Sequence, residues 1–313
     1  MELVAREFAP EKRLTPFRVG AALVIAMRPK QWTKNLVVFA APAFALQFDL
    51  RTLILSTVAL VTFSGMSAGT YLMNDVLDAS RDRLHPVKRS RPIAAGVLPA
   101  PIAIAAALLL AFAALGTSFA LAPGLALAIG IYALLQIAYN VRLNREPMLD
   151  VLCISAGFVT RALGGAAAVS VRVSTWFLLC IALLALFMAI EKRRAELQKV
   201  GSGAATRAVL KHYSISLLTR MEAVVTASAL MAYSLWAAQR TPKHWMLATV
   251  PIVAYVMFRY QMLTEEGAGE DPENVLMKSP AIVVAVVLWI AVCLGILLLQ
   301  GHGAPWNVCS TGC

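Results

Sequence analysis

Four oxygen-bearing side chains follow one another closely between residues 74 and 82. Asn74, Asp75, Asp78 and Asp82 are spaced so that they share neighbouring stripes of one face if a helix continues through them. Three carboxylates this close together repel one another unless a cation lies among them. Oxygen ligands in this number suit Mg²⁺, which commonly shares its coordination shell with substrate phosphates. We therefore predict that these four residues bind Mg²⁺; the alternative is a solvated helix end that is merely acidic.

The residues that follow are strongly basic and end at Pro92. They include Arg81, Arg83, Lys88, Arg89 and Arg91. Cations beside metal-binding carboxylates are typical of a site for a metal-bridged pyrophosphate, because the metal takes two oxygens and the cations take the others. This stretch is therefore predicted to hold phosphate.

Two further basic clusters lie at the ends of apolar runs. The first, residues 28–35, contains Trp32 and is equally well explained as an anchor at the membrane interface. Lys34 is its member nearest the apolar run, and we predict that it faces the site. The second, residues 191–196, contains Lys192 and Arg193; it is either a topology signal or a phosphate clamp.

An arginine inside an apolar run is also informative. Arg161 follows Tyr139, Arg142 and Asp150 along the chain and falls within a predicted span. An intramembrane arginine is costly and normally faces a polar interior or a partner. Asp150 lies about three helical turns away, so the two are not expected to pair directly. Arg161 is predicted to meet an anionic substrate, the carboxylate cluster or a structural ion-pair partner.

These side chains belong to a chain that needs lipid as its solvent. Of its 313 residues, 59% are hydrophobic and only 14% are charged, with a net charge of +11, and mean hydropathy is +0.72. A soluble domain would carry about a quarter charged residues. No segment is long enough to form a soluble nucleic-acid domain, so the positive charge points to anionic lipid or phosphorylated substrates and not to nucleic acid.

Nine apolar runs are long enough to cross a bilayer at about 20 residues each. They are residues 35–50, 53–74, 98–120, 122–140, 148–169, 174–190, 214–238, 245–262 and 280–299. We therefore predict an all-α integral membrane protein with about nine transmembrane helices in a single domain, residues 1–313. The stretch 155–170 is rich in Ala, Gly and Ser, which favours close helix packing in lipid.

The distribution of basic residues predicts the orientation. If the N-terminus and every second loop lie on one side, that side carries 21 of the 28 Lys and Arg residues and the other side carries four. By the positive-inside rule the basic side is cytoplasmic. Residues 1–30 are then cytoplasmic, residues 301–313 form a short extracytoplasmic tail, and the carboxylate cluster faces the cytoplasm. The role of Cys309 and Cys313 in that tail stays open.

The chain resembles the UbiA superfamily of intramembrane prenyltransferases. The resemblance lies in the Asn-Asp-x-x-Asp-x-x-x-Asp motif at 74–82, the basic stretch before Pro92, Tyr139 with Arg142, and the nine spans. Members of the superfamily typically carry a second motif, Asp-x-x-x-Asp, after the sixth span. This chain has Glu-Lys-Arg-Arg-Ala-Glu at 191–196, so a second metal site has largely been replaced by positive charge.

Within the superfamily, the chain resembles the decaprenyl-phosphate phosphoribosyltransferase branch. The resemblance lies in the replaced second motif and in five segments: residues 28–35, 71–75, 157–161, 192–197 and 269–273. The resemblance implies transfer of 5-phosphoribosyl from phosphoribosyl pyrophosphate to polyprenyl phosphate, with decaprenyl phosphate as the expected acceptor, in a bacterial inner membrane. It also implies a part in arabinan synthesis for the cell wall. The alternative is a prenyltransferase that uses a prenyl diphosphate and an aromatic or haem acceptor. A homo-oligomer is compatible with either.

With these substrates, the candidate residues take separate roles. The catalytic residues are expected to be Asp78, Asp82 and Lys88. The donor phosphates are expected at Lys34, Tyr71, Arg83, Lys88, Arg89, Arg91, Lys192 and Arg193. The lipid phosphate is expected at Tyr139, Arg142 and Arg161. The nucleophile is already an anion, which explains why no Ser/His/Asp or Cys/His arrangement is found.

Overall fold

The computed structural model describes residues 15–200, 208–240, 244–265 and 279–299, without the side chains of residues 199 and 200. Every regular element in these ranges is helical. The α-helices are α1 Pro16–Ala26, α2 Ala40–Phe44, α3 Leu50–Leu77, α4 Ala79–Leu84, α5 Ala100–Leu121, α6 Pro123–Val141, α7 Leu149–Ala168, α8 Thr175–Val200, α9 Ile215–Arg240, α10 Val250–Leu263 and α11 Pro280–Leu299. The segment 269–273 and both cysteines of the C-terminal tail lie outside the described residues.

Eight helical segments of the described chain are long and apolar enough to cross a membrane. They coincide with the second to ninth predicted runs, which makes the chain a multi-pass membrane protein. The first run, 35–50, has a different structure: a 3₁₀ helix, Pro29–Phe39, continues into α2.

This first segment nevertheless extends along the bundle. Because a 3₁₀ helix rises about 2.0 Å per residue and an α-helix about 1.5 Å, residues 29–44 cover about 30 Å, the thickness of the hydrocarbon core. Arg28, just before the segment, binds Asp75 at the end of α3. Phe44, at its other end, accepts a hydrogen bond from Arg240 at the end of α9. The segment therefore overlaps the first predicted run, 35–50, but it begins six residues earlier and ends at Phe44.

Small residues allow the segment to lie close to α7. A Cβ atom added to Gly165 would overlap the backbone of Val38 in the 3₁₀ helix. The contact requires glycine for space and not for backbone conformation, since Gly165 lies within a regular helix. The Ala/Gly/Ser-rich stretch 155–170 thus packs as predicted, against a partner that the sequence did not identify.

Helix α3 brings the acidic residues to one end of the bundle. It begins after Asp49, whose side chain accepts hydrogen bonds from the backbone and the hydroxyl of Thr52. These hydrogen bonds cap the helix and lower the pKa of Asp49 below its usual value. At the other end α3 stops at Leu77, and Asp78 separates it from α4. The predicted continuous helix is therefore interrupted by one residue within the acidic motif.

Candidate active site

Two carboxylates of the acidic motif share one arginine. Asp75 and Asp82 are both buried. Arg91 Nη1 lies 3.2 Å from Asp75 Oδ1 and 2.7 Å from Asp82 Oδ2. Of the three carboxylates predicted to share one face, Asp75 and Asp82 meet at Arg91, and Asp78 is more open, with 46% of its side chain exposed. Arg81 lies 3.3 Å from Asp78 across the helix break.

A second arginine reaches Asp75 from a distant part of the sequence. Arg28 Nη2 donates to Asp75 Oδ1 at 2.6 Å, and the Arg28 guanidinium lies 4.9 Å from the centre of the Tyr71 ring. Both arginines therefore use the same oxygen of Asp75. The Arg28 backbone has φ 55°, a left-handed conformation that is uncommon for arginine.

The remaining cations of the basic stretch lie around this motif. Arg83 Nε donates to the carbonyl of Ala94 at 3.3 Å. Lys88 and Arg89 are exposed on a short 3₁₀ helix, Lys88–Ser90. The ring nitrogen Nδ1 of His85 accepts from the backbone of Val87 and Lys88 and thereby supports the turn. His85 is thus a loop residue here, and the cations project from a locally ordered loop.

The donor atoms at this site are suitable for Mg²⁺. Within the described ranges, no three His, Cys, Asp or Glu side chains are close enough to enclose a metal ion. Mg²⁺ does not need such an enclosure, because it is usually bound through one or two carboxylates together with substrate phosphates. Asn74, Asp78 and Asp82 provide oxygen ligands of that kind at the helix break. Asp75 was predicted as a fourth metal ligand, but its Oδ1 atom accepts hydrogen bonds from two guanidinium groups.

A buried ion pair lies at the start of α7. Arg193, with 1% of its side chain exposed, binds Asp150 at 2.7 Å and Glu196 at 2.8 Å. Its third nitrogen donates to the hydroxyl of Tyr139 at 3.3 Å. Arg193, predicted as a ligand of the donor phosphates, is therefore turned into the protein, because Asp150 on another helix provides a buried countercharge.

Tyr213 completes this network from the other side of Asp150. Its hydroxyl donates to Asp150 Oδ1 and accepts from the backbone N–H of Met148, both at 2.7 Å. Burial and the neighbouring carboxylate raise the pKa of Tyr213 because they disfavour the phenolate. The tyrosine is thus a neutral donor that fixes Asp150, and the network joins α6, α7, α8 and the loop before α9.

Arg161 lies in the interior of the bundle in a network of neutral groups. Its side chain donates to Asn35 Oδ1 at 2.6 Å, to Tyr132 OH at 2.9 Å and to the carbonyl of Gly157 at 2.8 Å. Asn35 in turn donates to Ser64 at 3.0 Å. No carboxylate of the described residues lies within ion-pair distance of Arg161. The guanidinium therefore links the first segment, α3, α6 and α7.

The structure does not bring the three predicted lipid-phosphate ligands together. Tyr139 contacts Arg193, whereas Arg142 is exposed after α6 and lies 3.4 Å from Glu146. Arg161 lies eleven residues beyond Asp150 on α7, about 16 Å further along the helix axis. Because of this distance along α7, Arg161 and the Asp150 network lie at different depths of the bundle.

The predicted clamp at 191–196 is also partly internal. Arg194 lies 2.9 Å from Glu191 and 3.1 Å from Glu222, and Thr264 donates to Glu191. Glu191, Arg194 and Glu222 are buried, so they connect α8, α9 and the end of α10. Lys192 is partly buried, and Lys34 donates to Gln31 at 2.5 Å. Both lysines also have interactions with other groups.

Sequence reasoning missed two residues that organise this end of the protein. Arg28 and Asn35 begin and end the basic cluster 28–35, for which the sequence leaves an interface anchor and a substrate contact equally open. Each lies far in the sequence from its partner, Asp75 or Arg161, so helical spacing gives no signal for either contact. Glu191 and Arg194 are three residues apart in one helix, and this spacing was a usable signal for their pairing.

The chain is similar in sequence to a known family and to two named enzymes. Residues 36–279 match the UbiA prenyltransferase family. The decaprenyl-phosphate phosphoribosyltransferase of Corynebacterium glutamicum is 35% identical over 292 residues, which cover 90% of this chain and 88% of the relative. The enzyme of the same name from Mycobacterium tuberculosis is 34% identical over 284 residues, which cover 88% of this chain and 94% of the relative.

The fold is also similar to a solved structure. A UbiA homologue from Archaeoglobus fulgidus, bound to DMAPP and Mg²⁺, superposes with a TM-score of 0.68 at 16% identity. The match covers 89% of this chain and 99% of that homologue. At this identity the likeness concerns the fold, and it extends over almost the whole of the homologue.

Proposed function

The chain belongs to the UbiA prenyltransferase family, and we propose that it transfers 5-phosphoribosyl from phosphoribosyl pyrophosphate to a polyprenyl phosphate of decaprenyl length. The observation that carries this proposal is the similarity of about 35% over some nine-tenths of the chain to relatives named decaprenyl-phosphate phosphoribosyltransferase. The match spans almost the full length of both partners, so it includes the acidic motif and the basic stretch after it.

The distribution of charge at the site supports the same reaction. A phosphoribosyl donor carries a pyrophosphate and a separate phosphate, and the acceptor adds a third phosphate group. Around Asp75, Asp78 and Asp82 the structure has arginines from two different segments, Arg28 and the stretch that ends at Arg91. Lys88 and Arg89 lie on the same loop, so cations outnumber these carboxylates. Two anionic substrates require such an excess, because their mutual repulsion opposes binding side by side.

The chemistry needs few specialised groups. An oxygen of the lipid phosphate attacks C1 of the ribose, the bond from C1 to the pyrophosphate oxygen breaks, and its electrons leave with pyrophosphate. The nucleophile is already an anion, so no proton has to be removed. The protein contributes by aligning the two substrates and by stabilising negative charge on the leaving group.

Asn74, Asp78 and Asp82 are the proposed ligands of Mg²⁺. An ion held by these residues would supply charge neutralisation for the departing pyrophosphate. Asp82 faces Arg91 at 2.7 Å, so a cation of the protein already lies beside this carboxylate. Lys88 and Arg89 are exposed on the loop and are free to approach the donor phosphates from the solvent side.

The other candidate residues have one of two proposed roles: some contact a substrate, and others position a neighbouring residue. Lys34, Tyr71, Arg83, Arg91 and Lys192 remain proposed contacts for the donor, and Tyr139 and Arg142 for the lipid phosphate. We assign Arg193 to positioning Tyr139, because all three of its nitrogen atoms have partners. We assign Arg161 to holding the first segment against α7 through Asn35.

The proposed setting is the inner membrane of a bacterium, with the site open to the cytoplasm, where the soluble donor is available. The excess of Lys and Arg on that side supports this orientation. The proposed product is a lipid-linked phosphoribose, an intermediate suited to supply arabinose for cell-wall arabinan.

The proposal is tested by following pyrophosphate release from purified protein in detergent with Mg²⁺. Release is expected only when phosphoribosyl pyrophosphate and polyprenyl phosphate are both present. The competing function, transfer of a prenyl group to an aromatic or haem acceptor, predicts release from a prenyl diphosphate instead. Release with the prenyl donor and none with the ribosyl donor would refute the proposal.

A further inference from the structure

Four side chains form a row of alternating charge at the end of α3. Asp82 binds Arg91 at 2.7 Å, Arg91 binds Asp75 at 3.2 Å, and Asp75 binds Arg28 at 2.6 Å. The two ends of the row therefore differ in charge: Asp82 is one of the proposed metal ligands, and Arg28 is a cation from a distant segment. The site is polarised along the row.

Asp75 has an unusual position in this row. It is buried, and its Oδ1 atom accepts from both Arg28 and Arg91. One carboxylate thus binds two guanidinium groups. Arg91 has a second carboxylate partner in Asp82, whereas Arg28 shares Asp75 and pairs with no other carboxylate of the described residues. An additional anion is therefore favoured beside Arg28.

The Arg28 side chain is arranged to hold an anion. One third of it is exposed, at 33%, and its bond to Asp75 uses one of five N–H donors. Stacking on Tyr71 fixes the plane of the guanidinium. Its left-handed backbone conformation, φ 55°, costs energy for a residue other than glycine, and strain of this kind concentrates at functional sites.

We propose that Arg28 binds the 5-phosphate of the ribosyl donor and that Asp75 is the residue that positions Arg28. The inference rests on the proposed function. The donor has two anionic groups on opposite sides of its ribose ring, and the row offers two ends. Asp78 and Asp82 mark the end that takes the pyrophosphate with Mg²⁺, so the monophosphate is directed to the cationic end at Arg28. A prenyl diphosphate has no such second phosphate.

The test compares two inhibitors that each represent half of the donor. Ribose 5-phosphate carries only the monophosphate, and Mg²⁺–pyrophosphate carries only the leaving group. Their binding to purified protein is measured by calorimetry, for the natural chain and for Arg28→Asn. Asparagine is chosen because it tolerates the left-handed conformation. Arg18→Asn, an exposed arginine on α1, removes the same charge and serves as the control.

Arg28→Asn is expected to weaken the binding of ribose 5-phosphate about 10- to 100-fold, which corresponds to the loss of a hydrogen bond to a charged group. The affinity for Mg²⁺–pyrophosphate should stay within about twofold of that of the natural chain. Arg18→Asn should change neither. Equal weakening of both inhibitors would overturn the inference, because it indicates general damage to the site. Unchanged binding of ribose 5-phosphate would also overturn it. If the natural chain binds neither ribose 5-phosphate nor the complete donor, the proposed function itself fails.

Asp75→Asn separates positioning from metal binding. The variant is expected to bind ribose 5-phosphate more weakly, since Arg28 loses its charged partner. The Mg²⁺ concentration that gives half-maximal turnover should stay unchanged. A large rise in that Mg²⁺ concentration would make Asp75 a metal ligand and would contradict its assignment here.

Discussion

Arg161 and Asn35, 126 residues apart in the sequence, are joined by a hydrogen bond of 2.6 Å in the interior of the bundle. The same guanidinium binds Tyr132 on α6. Lys34 precedes Asn35, so the bond also fixes the segment that carries one of the proposed donor contacts. The first segment depends on this contact because its 3₁₀ helix has weaker internal hydrogen-bond geometry than an α-helix.

Arg161→Gln should therefore destabilise the protein by about 1–3 kcal/mol, because it removes the charged donor of the buried Asn35 Oδ1 atom. Thermal unfolding in detergent measures the effect. Arg172→Gln, at an exposed position beyond the same helix, is the control and should unfold at the temperature of the natural chain. A weaker affinity for polyprenyl phosphate without loss of stability would instead return Arg161 to its predicted role as a lipid-phosphate ligand.

The Asp150–Arg193 pair offers a second test of buried charge. Asp150→Asn leaves Arg193 without its fully buried countercharge, and breaking such a pair from one side costs about 3–5 kcal/mol. Thermal unfolding should show a large decrease in midpoint. Glu146→Gln breaks the exposed Arg142–Glu146 pair and should cost at most about 1 kcal/mol. Similar small effects for both variants would show that the first pair is not buried as described.

Close packing at Gly165 predicts a strong dependence on side-chain size. Gly165→Ala places a methyl group into the Val38 backbone, so α7 and the 3₁₀ helix must separate and stability should fall by about 1–3 kcal/mol. Gly130→Ala, in the interior of α6 where a Cβ meets open space, should be neutral or slightly stabilising. If Gly165→Ala unfolds no earlier than Gly130→Ala, the first segment does not pack on α7 as described.

Asp78→Asn tests the proposed metal site. The half-exposed carboxylate lies at the helix break, and its loss should lower turnover by about 100-fold or more and raise the Mg²⁺ requirement, because charge on the leaving group is less well neutralised. The measurement is the initial rate over a Mg²⁺ titration. Asp49→Asn, at the opposite end of α3, exchanges one good helix cap for another and should leave that titration unchanged. Normal turnover and Mg²⁺ dependence for Asp78→Asn would exclude this metal site.

The fold was largely predictable because the length of an apolar run is a strong signal for a transmembrane helix. The runs from 53–74 to 280–299 became long helices. The first run was harder, since its 3₁₀ geometry depends on contacts of Asn35 and Gly165 with distant residues and not on its own composition. The one-residue break at Asp78 was not predicted either, although the sides taken by Asp75 and Asp82 were.

The site was predictable in composition but only partly in arrangement. The acidic motif and Arg91 do meet, in agreement with the prediction that the carboxylates and the basic stretch after them form one site. Arg28 and Arg193 could not be assigned from sequence, because each is defined by a carboxylate on another helix, Asp75 or Asp150. A cation at a span end has the same sequence signal whether it faces solvent, a substrate or a buried partner.

The central claim, transfer of phosphoribose to a lipid phosphate, is tested most directly by following two labels in parallel. Purified protein with Mg²⁺ and polyprenyl phosphate receives phosphoribosyl pyrophosphate labelled in the ribose, and a second reaction receives a labelled prenyl diphosphate with an aromatic acceptor. The account predicts that ribose label enters the organic phase as a lipid-linked phosphoribose and that no prenyl label reaches the aromatic acceptor. Prenyl label on the acceptor, with all ribose label left in the aqueous phase, would contradict it.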